Sequence, residues 1–169
     1  MQQEVPFSQA MATRFPQELV IGIARDPQGK YNPIALGWIM STSHKPPMMA
    51  VSIGKPRYSL EAFRQAGEFV IAFPAADQAD ETMLYGTKSG RDTDKFALAK
   101  AATQPAKEID CVLLADAVAN FECKLVGELE TGDHVIFAGE IVCSHVSATP
   151  KDRLFIVGEG HALAGVQRS

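Results

Sequence analysis

The sequence predicts a mainly β protein, an antiparallel barrel carrying a few helical excursions. Three observations lead there. Its strand-like runs are separated by short turn signals and so read as hairpins. No regular alternation of strand and long helix is visible, which argues against a doubly wound sheet. The 169 residues, 46% of them hydrophobic, can bury one real core, and no repeat, low-complexity segment or linker divides them. Residues 1–169 are therefore expected to form a single domain.

Residues 19–25 read as the first strand, followed by turn chemistry over 26–29 with Gly29 where a positive φ is expected. Residues 31–41 return as a second strand and close a hairpin. Because side chains alternate, Asn32, Ile34, Leu36, Trp38 and Met40 are expected on one face. Pro46-Pro47 breaks the chain, and residues 48–53 form a third strand with Met49, Val51 and Ile53 together. Ser59 is expected to cap a helix over 60–66, with Gly67 in the left-handed position that ends it. Residues 68–73 form a strand stopped by Pro74. Asp77 is expected to cap a second helix ending at Gly86, and Thr93 or Asp92 a third running through Ala102. Residues 118–129 and 134–147 read as two long strands joined by a turn at 131–133.

Composition excludes several partners. A net charge of −4 without any Lys/Arg run argues against nucleic acid, whose backbone demands concentrated positive charge. It gives no reason to invoke an anionic membrane either. Residues 1–15 lack a basic cluster ahead of an apolar stretch, so no secretion signal is expected. The longest apolar runs, such as 19–24, are far too short to span a bilayer. A soluble cytoplasmic protein is the expectation. The three cysteines, Cys111, Cys123 and Cys143, are odd in number, widely spaced and without C-x-x-C pairs. That argues against a disulfide framework and against structural zinc, and no metal site is expected. Cys123 shares a strand face with Phe121 and Leu125, and Cys143 with Phe137 and Ile141, so buried apolar thiols are expected. There is no phosphate-binding loop, and Gly158-Glu-Gly160 lacks the spacing of a dinucleotide fingerprint.

The chemistry-bearing residues concentrate between Asn32 and Ser59. Small hydroxyls, a double proline, an indole and cations lie within a short run, which is what a phosphorylated aromatic ligand needs. Lys55, Arg57 and Ser59 lead into a predicted helix N-terminus, where free N–H groups and the dipole favour an anion. A solvated basic turn with an ordinary cap is the alternative. Ser41, Thr42 and Ser43 precede Pro46-Pro47, so their hydroxyls could bond ligand carbonyls and ring nitrogens, or could serve as plain loop chemistry. Trp38, the sole tryptophan, could equally be a half-buried core residue. His134 follows a turn at the mouth of a hairpin, where it could donate to a developing negative charge or simply face solvent. Near residues 89–96, the cations Arg91 and Lys95 oppose the dipole of a helix N-terminus, a conflict that points to an anionic partner for one of them.

In this order the pieces resemble the flavin reductase-like family of FMN-binding split barrels, especially its flavoredoxin-type members. The resemblance covers about residues 16–150 and rests on Asn32 and its strand, Ser41 to Ser43 before Pro46-Pro47, the turn from Lys55 to Ser59, the run 89–96, and Gly132-Asp-His134 before Gly139-Glu140. It implies an antiparallel Greek-key split barrel with helical insertions, forming a homodimer with FMN near the subunit interface. By that likeness Asn32, Trp38, Ser41, Thr42 and Ser43 would line the isoalloxazine and ribityl part. Lys55, Arg57 and Ser59 would hold the phosphate, Lys95 would bring positive charge, and His134 would approach the flavin or a nicotinamide as the catalytic residue. The C-terminal residues 158–169 depart from the pattern, lacking a clear aromatic to cover the flavin. The implied activity is an FMN-dependent oxidoreductase taking hydride from NAD(P)H and passing electrons to free flavin or another acceptor. A bound-FMN carrier reduced by a protein partner, and a non-enzymatic ligand-binding barrel, are the alternatives.

Overall fold

The computed structural model describes residues 1–166. A short helix α1 (Phe7–Met11) and a two-residue strand β1 (Gln17–Glu18) open the chain. Strands β2 (Val20–Arg25) and β3 (Tyr31–Leu36) form the expected hairpin. β2 is apolar on both faces because both are covered. Val20 and Ala24 belong to the barrel interior, whereas Ile21 and Ile23 pack under an outer layer.

The expected single strand over residues 31–41 is two. β3 stops at Leu36, Gly37 and Trp38 turn the chain, and β4 (Ile39–His44) resumes at the opposite edge of the sheet. Asn32, Ile34 and Leu36 are therefore buried, while Trp38 and Met40 are 42% and 53% exposed. Crowding at the crossover explains why glycine stands there: a Cβ on Gly37 would lie 2.6 Å from Gln17 Nε2 and 3.1 Å from Ile156 Cδ1.

β5 (Pro47–Gly54) turns Met49, Val51 and Ile53 inward as expected. Helix α2 (Ser59–Ala66) fills the barrel end with Phe63, whose ring lies 4.9 Å from Phe69 and 5.7 Å from Phe137. Gly67 ends the helix at φ +64°. Ser59 does not cap it. The residue is already helical, and its hydroxyl instead accepts a hydrogen bond from Asn32 Nδ2. β6 (Glu68–Phe73) stops before Pro74. The second helix begins later than its sequence signals: a 3-10 turn over Ala76–Gln78 precedes α3 (Ala79–Thr87), and Gln78, not Asp77, accepts the Ala75 N–H. The third, α4 (Lys95–Ala99), ends before Ala102, and its cap is Asp94, whose carboxylate accepts the Ala97 N–H at 3.0 Å.

β7 (Thr103–Pro105) and β8 (Val112–Leu114) make a small ribbon. β9 (Ala119–Thr131) and β10 (His134–Val146) are the expected long hairpin. β11 (Arg153–Gly158) and β12 (Ala162–Val166), unanticipated from sequence, join β1 in a three-stranded sheet.

The main sheet is antiparallel in the order β3-β2-β6-β9-β10-β5-β4. Its two edge strands are consecutive in the chain, linked only through Gly37 and Trp38, so the sheet must curl on itself. Trp38 C=O accepts the Ser52 N–H at 3.0 Å and pins the crossover to β5. The result is a split antiparallel barrel whose interior is built on Phe63, Phe69, Phe137, Ile53 and Val135, all fully buried. Tyr85, Cys111 and Leu114 belong to a second layer outside β2 and β6. Burial pushes the Cys111 and Cys123 thiols up to about 12, in keeping with inert core cysteines. Cys143 is a correction: it is only half-buried. Among the described residues, no helix is long and apolar enough to cross a membrane.

Candidate functional site

A cavity of about 560 Å³ opens where the sheet splits. Its floor is the end of β3 (Ile34 to Leu36) and the Gly37-Trp38 crossover. Gly54, Arg57 and His134 close one side, α3 contributes Met83 and Thr87, and the outer wall comes from α1 and the turn Glu159–His161.

Trp38 and His134 form an aromatic pair in this wall, with ring centroids 4.5 Å apart and planes tilted by 35°. The Arg14 guanidinium also lies over the indole, 5.9 Å from its centroid. His134 is fixed by its neighbour, since Nδ1 lies 2.7 Å from Asp133 Oδ1. That hydrogen bond, then the charge of the imidazole, holds the Asp133 carboxyl below its ordinary range. The hairpin turn that carries His134 is tied to the end of β5 by the Lys55 N–H, which donates to Asp133 C=O at 2.9 Å. The Lys55 side chain turns away and pairs with Glu130 at 3.1 Å.

Arg57 faces the cavity from the β5–α2 turn, and it has no ion-pair partner among the described residues. Behind it lies a buried polar knot. Asn32 Nδ2 donates to Ser59 Oγ at 2.7 Å, and Asn32 Oδ1 is buried without a partner. Lys95 Nζ donates to Pro33 C=O at 2.6 Å and to Tyr85 C=O at 3.0 Å. Burial, helped by the charge of Arg57, lowers the Lys95 ammonium to about 8. The conflict noted at the α4 N-terminus thus has a local resolution, because Lys95 folds inward onto two carbonyls. A cleft of about 10 Å³, room for one water, lies between Asn32, Gly90 and Lys95. A side chain at Gly90 would run into the Asn32 amide, so the glycine is what admits Asn32. Tyr58 holds this corner together: its hydroxyl donates to Asp26 at 3.1 Å, and the Arg91 guanidinium covers its ring at 5.4 Å.

Of the residues singled out from sequence, Trp38, Arg57 and His134 meet on the cavity, and Asn32, Ser59 and Lys95 form the knot beside it. Ser41, Thr42 and Ser43 lie on the edge strand β4, outside the cavity wall, and Lys55, directly after β5, is outside it too. Sequence reasoning missed Arg14, Met83, Thr87 and the Glu159–His161 turn. They reach the cavity from segments remote in sequence and carry no local motif.

A family model described as flavin reductase like domain matches residues 11–162. Over 113 residues, 67% of this chain, the sequence is 33% identical to an uncharacterised protein of Archaeoglobus fulgidus, of whose length the match spans 64%. Over 157 residues, 93% of this chain and 89% of the relative, it is 25% identical to a flavin reductase of Pseudomonas putida. Among solved structures, a flavoredoxin of Methanosarcina acetivorans superposes with a TM-score of 0.87 at 23% identity, covering 100% of this chain and 93% of that one. At that identity the likeness speaks for the fold.

Proposed function

The chain belongs to the flavin reductase like domain family, and we propose that it is an FMN-dependent oxidoreductase, taking hydride from NAD(P)H and passing electrons to free flavin or another acceptor. The observation that carries this reading is the meeting of an aromatic wall, Trp38 with His134, and an unpaired cation, Arg57, on one cavity. A volume of about 560 Å³ suits a ligand of this size.

The residues present fit the cofactor. A planar tricyclic ring needs an apolar wall, which Ile34, Leu36 and Trp38 offer. A phosphate needs positive charge and donors, which the Arg57 guanidinium offers on the cavity wall just ahead of the α2 N-terminus. The partnerless Asn32 Oδ1 is an acceptor beside the cleft that has room for one water, and through that water it would reach a ribityl hydroxyl. Ser59 orients Asn32 through its hydroxyl and so acts on the ligand at second hand. Lys95 adds positive charge from behind Arg57. In this reading Ser41, Thr42 and Ser43 approach the ring edge only from the rim, and Lys55 contributes long-range charge.

FMN, when bound, supplies the redox chemistry, and the protein supplies binding, orientation and electrostatics. His134, on the cavity wall with its ring oriented through Nδ1 by the Asp133 carboxylate, would donate to a negative charge developing on the bound ligand. Arg14 and His161, on the outer wall, face the side from which an electron donor would enter. The absence of a dinucleotide fingerprint does not bear on NAD(P)H, because a nicotinamide can stack on a bound flavin without a dedicated fold.

We also propose a homodimer. β4 is an edge strand, and Trp38, Met40 and Leu129 expose large apolar side chains on the sheet, a surface that favours association. One experiment tests both proposals. The purified chain is passed with FMN through gel filtration, and the flavin-bearing peak is treated anaerobically with NADH and then NADPH. The expected result is retained flavin at twice 18.3 kDa that bleaches with one of the two nucleotides. Colourless protein refutes the ligand, and elution at the single-chain mass refutes the dimer. Retained flavin that stays oxidised with both nucleotides assigns the chain to electron carriers reduced by a protein.

A further inference from the structure

We infer that Glu122, Cys143 and His145 form a divalent-metal site of the zinc class, outside the cavity and independent of the flavin reading. Glu122 on β9 stands directly across the ladder from Cys143 on β10. His145 follows Cys143 by two positions and so projects from the same face. A register shift between Ile141 and Cys143 marks a bulge there, a device that re-aims side chains. One carboxylate oxygen of Glu122, the Cys143 sulfur and a ring nitrogen of His145 all lie within 4.8 Å of one another.

The carboxylate is the unusual member. Glu122 is 0% exposed. Its Oε1 accepts the Lys107 N–H at 2.8 Å and lies 2.6 Å from His145 Nε2, while Oε2 accepts the Glu108 N–H at 2.7 Å. Burial works to raise this carboxyl, yet the two backbone donors and His145 hold it below its ordinary range. The ligand oxygen is thus oriented by backbone, as the supporting partners of metal ligands commonly are. Securing residues 107 and 108 accounts for the backbone bonds. It does not account for a thiol and an imidazole converging on the same oxygen from the opposite strand.

The donor set decides the metal. A thiolate, an imidazole and a carboxylate suit zinc and not the hard cations magnesium and calcium, which take oxygen ligands. Tetrahedral zinc spaces its ligand atoms by about 3.4 Å, so loading requires His145 and Glu122 to part by under about 1 Å. Cys143 and His145 are half-buried and leave the fourth position to water. Binding displaces the Cys143 thiol proton and any proton shared between His145 and Glu122, and releases them to solvent. Residues 134 to 143, at about 3.4 Å each, separate His134 from the nearer strand ligand by roughly 30 Å along the strand, so the site's role is to clamp the residue 107–108 loop to the β9–β10 ladder.

The chain, stripped of metal with a chelator, is titrated with ZnCl₂ by calorimetry and with CoCl₂ by absorbance. The expected results are one zinc per chain and a thiolate-to-cobalt charge-transfer band in the near ultraviolet. Cys143→Ser and His145→Ala should each weaken zinc binding at least tenfold, and the double variant should lose it while binding FMN as the parent does. Asp133 and His134 could hold zinc elsewhere, and the double variant separates the two. A parent chain that takes up no more zinc than the double variant, or a cobalt complex whose spectrum ignores Cys143→Ser, overturns the assignment.

Discussion

Replacing Lys95 by methionine tests the electrostatics of the buried knot. Lys95 is 4% exposed and bonded to two backbone carbonyls and, among the described residues, to no carboxylate. Burial, with the Arg57 charge added, lowers its ammonium from 10.5 to about 8. Below pH 8 the folded and unfolded chains both hold the proton, and the fold bears the whole cost of the buried charge, about 3 kcal/mol. Between pH 8 and 10.5 the unfolded chain keeps a proton that the folded chain has shed, so this group makes stability rise with pH. The Cys111 and Cys123 thiols act with the opposite sign. They stay protonated in the fold to about 12 while unfolded thiols ionise from about 9, so their contribution falls above that pH. Lys95→Met removes only the first effect. Urea unfolding of both proteins across pH 7.5 to 10.5 should therefore show the parent gaining about 3 kcal/mol on the variant. A difference that stays constant within about 0.5 kcal/mol would refute the buried, perturbed ammonium. The same proton links stability to the ligand: a phosphate beside Arg57 draws Lys95 back toward 10.5. FMN affinity should then weaken as pH climbs past 8, by up to about tenfold per pH unit, while riboflavin affinity does not.

Arg57→Ala should weaken FMN by roughly 10- to 100-fold, the worth of a charge-assisted hydrogen bond, and leave riboflavin unchanged in fluorescence titrations. Equal losses for both ligands would remove the phosphate from Arg57. Phe63→Ala, which empties the contact among three fully buried rings, should cost about 3–5 kcal/mol. It should move the denaturant midpoint without changing the slope, and a shift under about 1 kcal/mol would mean the barrel end refills.

Much of the architecture was legible because it is written in local signals. The β2–β3 hairpin, β5, β6 before Pro74, Gly67 and the β9–β10 hairpin all follow from turn residues and alternation. The errors share one cause. At Leu36 the alternation continues through Trp38 and Met40, but the backbone leaves the strand because the chain must cross to the far sheet edge. No periodicity encodes that crossing. Ser59 has the right residue type for a cap, and tertiary contact with Asn32 takes its hydroxyl instead. Cys143 reads as apolar by its neighbours in sequence, yet its neighbour in space is Glu122. The cavity followed the same rule. Trp38, Arg57 and His134 belong to the run and the turn that stood out, whereas Arg14, Met83 and the Glu159–His161 turn arrive only through packing.

The split in the barrel and the position of the cavity have a single origin. Seven antiparallel strands whose first and last members are joined by two residues must bring both edges close, yet the crossover itself occupies the gap and keeps β3 and β4 from pairing there. Unpaired strand edges are a liability unless something covers them. At the β3 end the cover comes from α1, β1 and the β11–β12 layer, with Gln17 and Ile156 closing directly over Gly37, while β4 stays exposed. Elements of different curvature cannot fill that seam as a strand would, and a cavity remains. Its lining is fixed by the same topology. Trp38 is there because it is the crossover, Arg57 because α2 must enter the barrel end next to β5, and His134 because β10 starts opposite Gly54. Closing the barrel by β3–β4 pairing would displace Trp38 and leave Arg57 without a cavity to face. The cavity is thus what the sheet gains by failing to close.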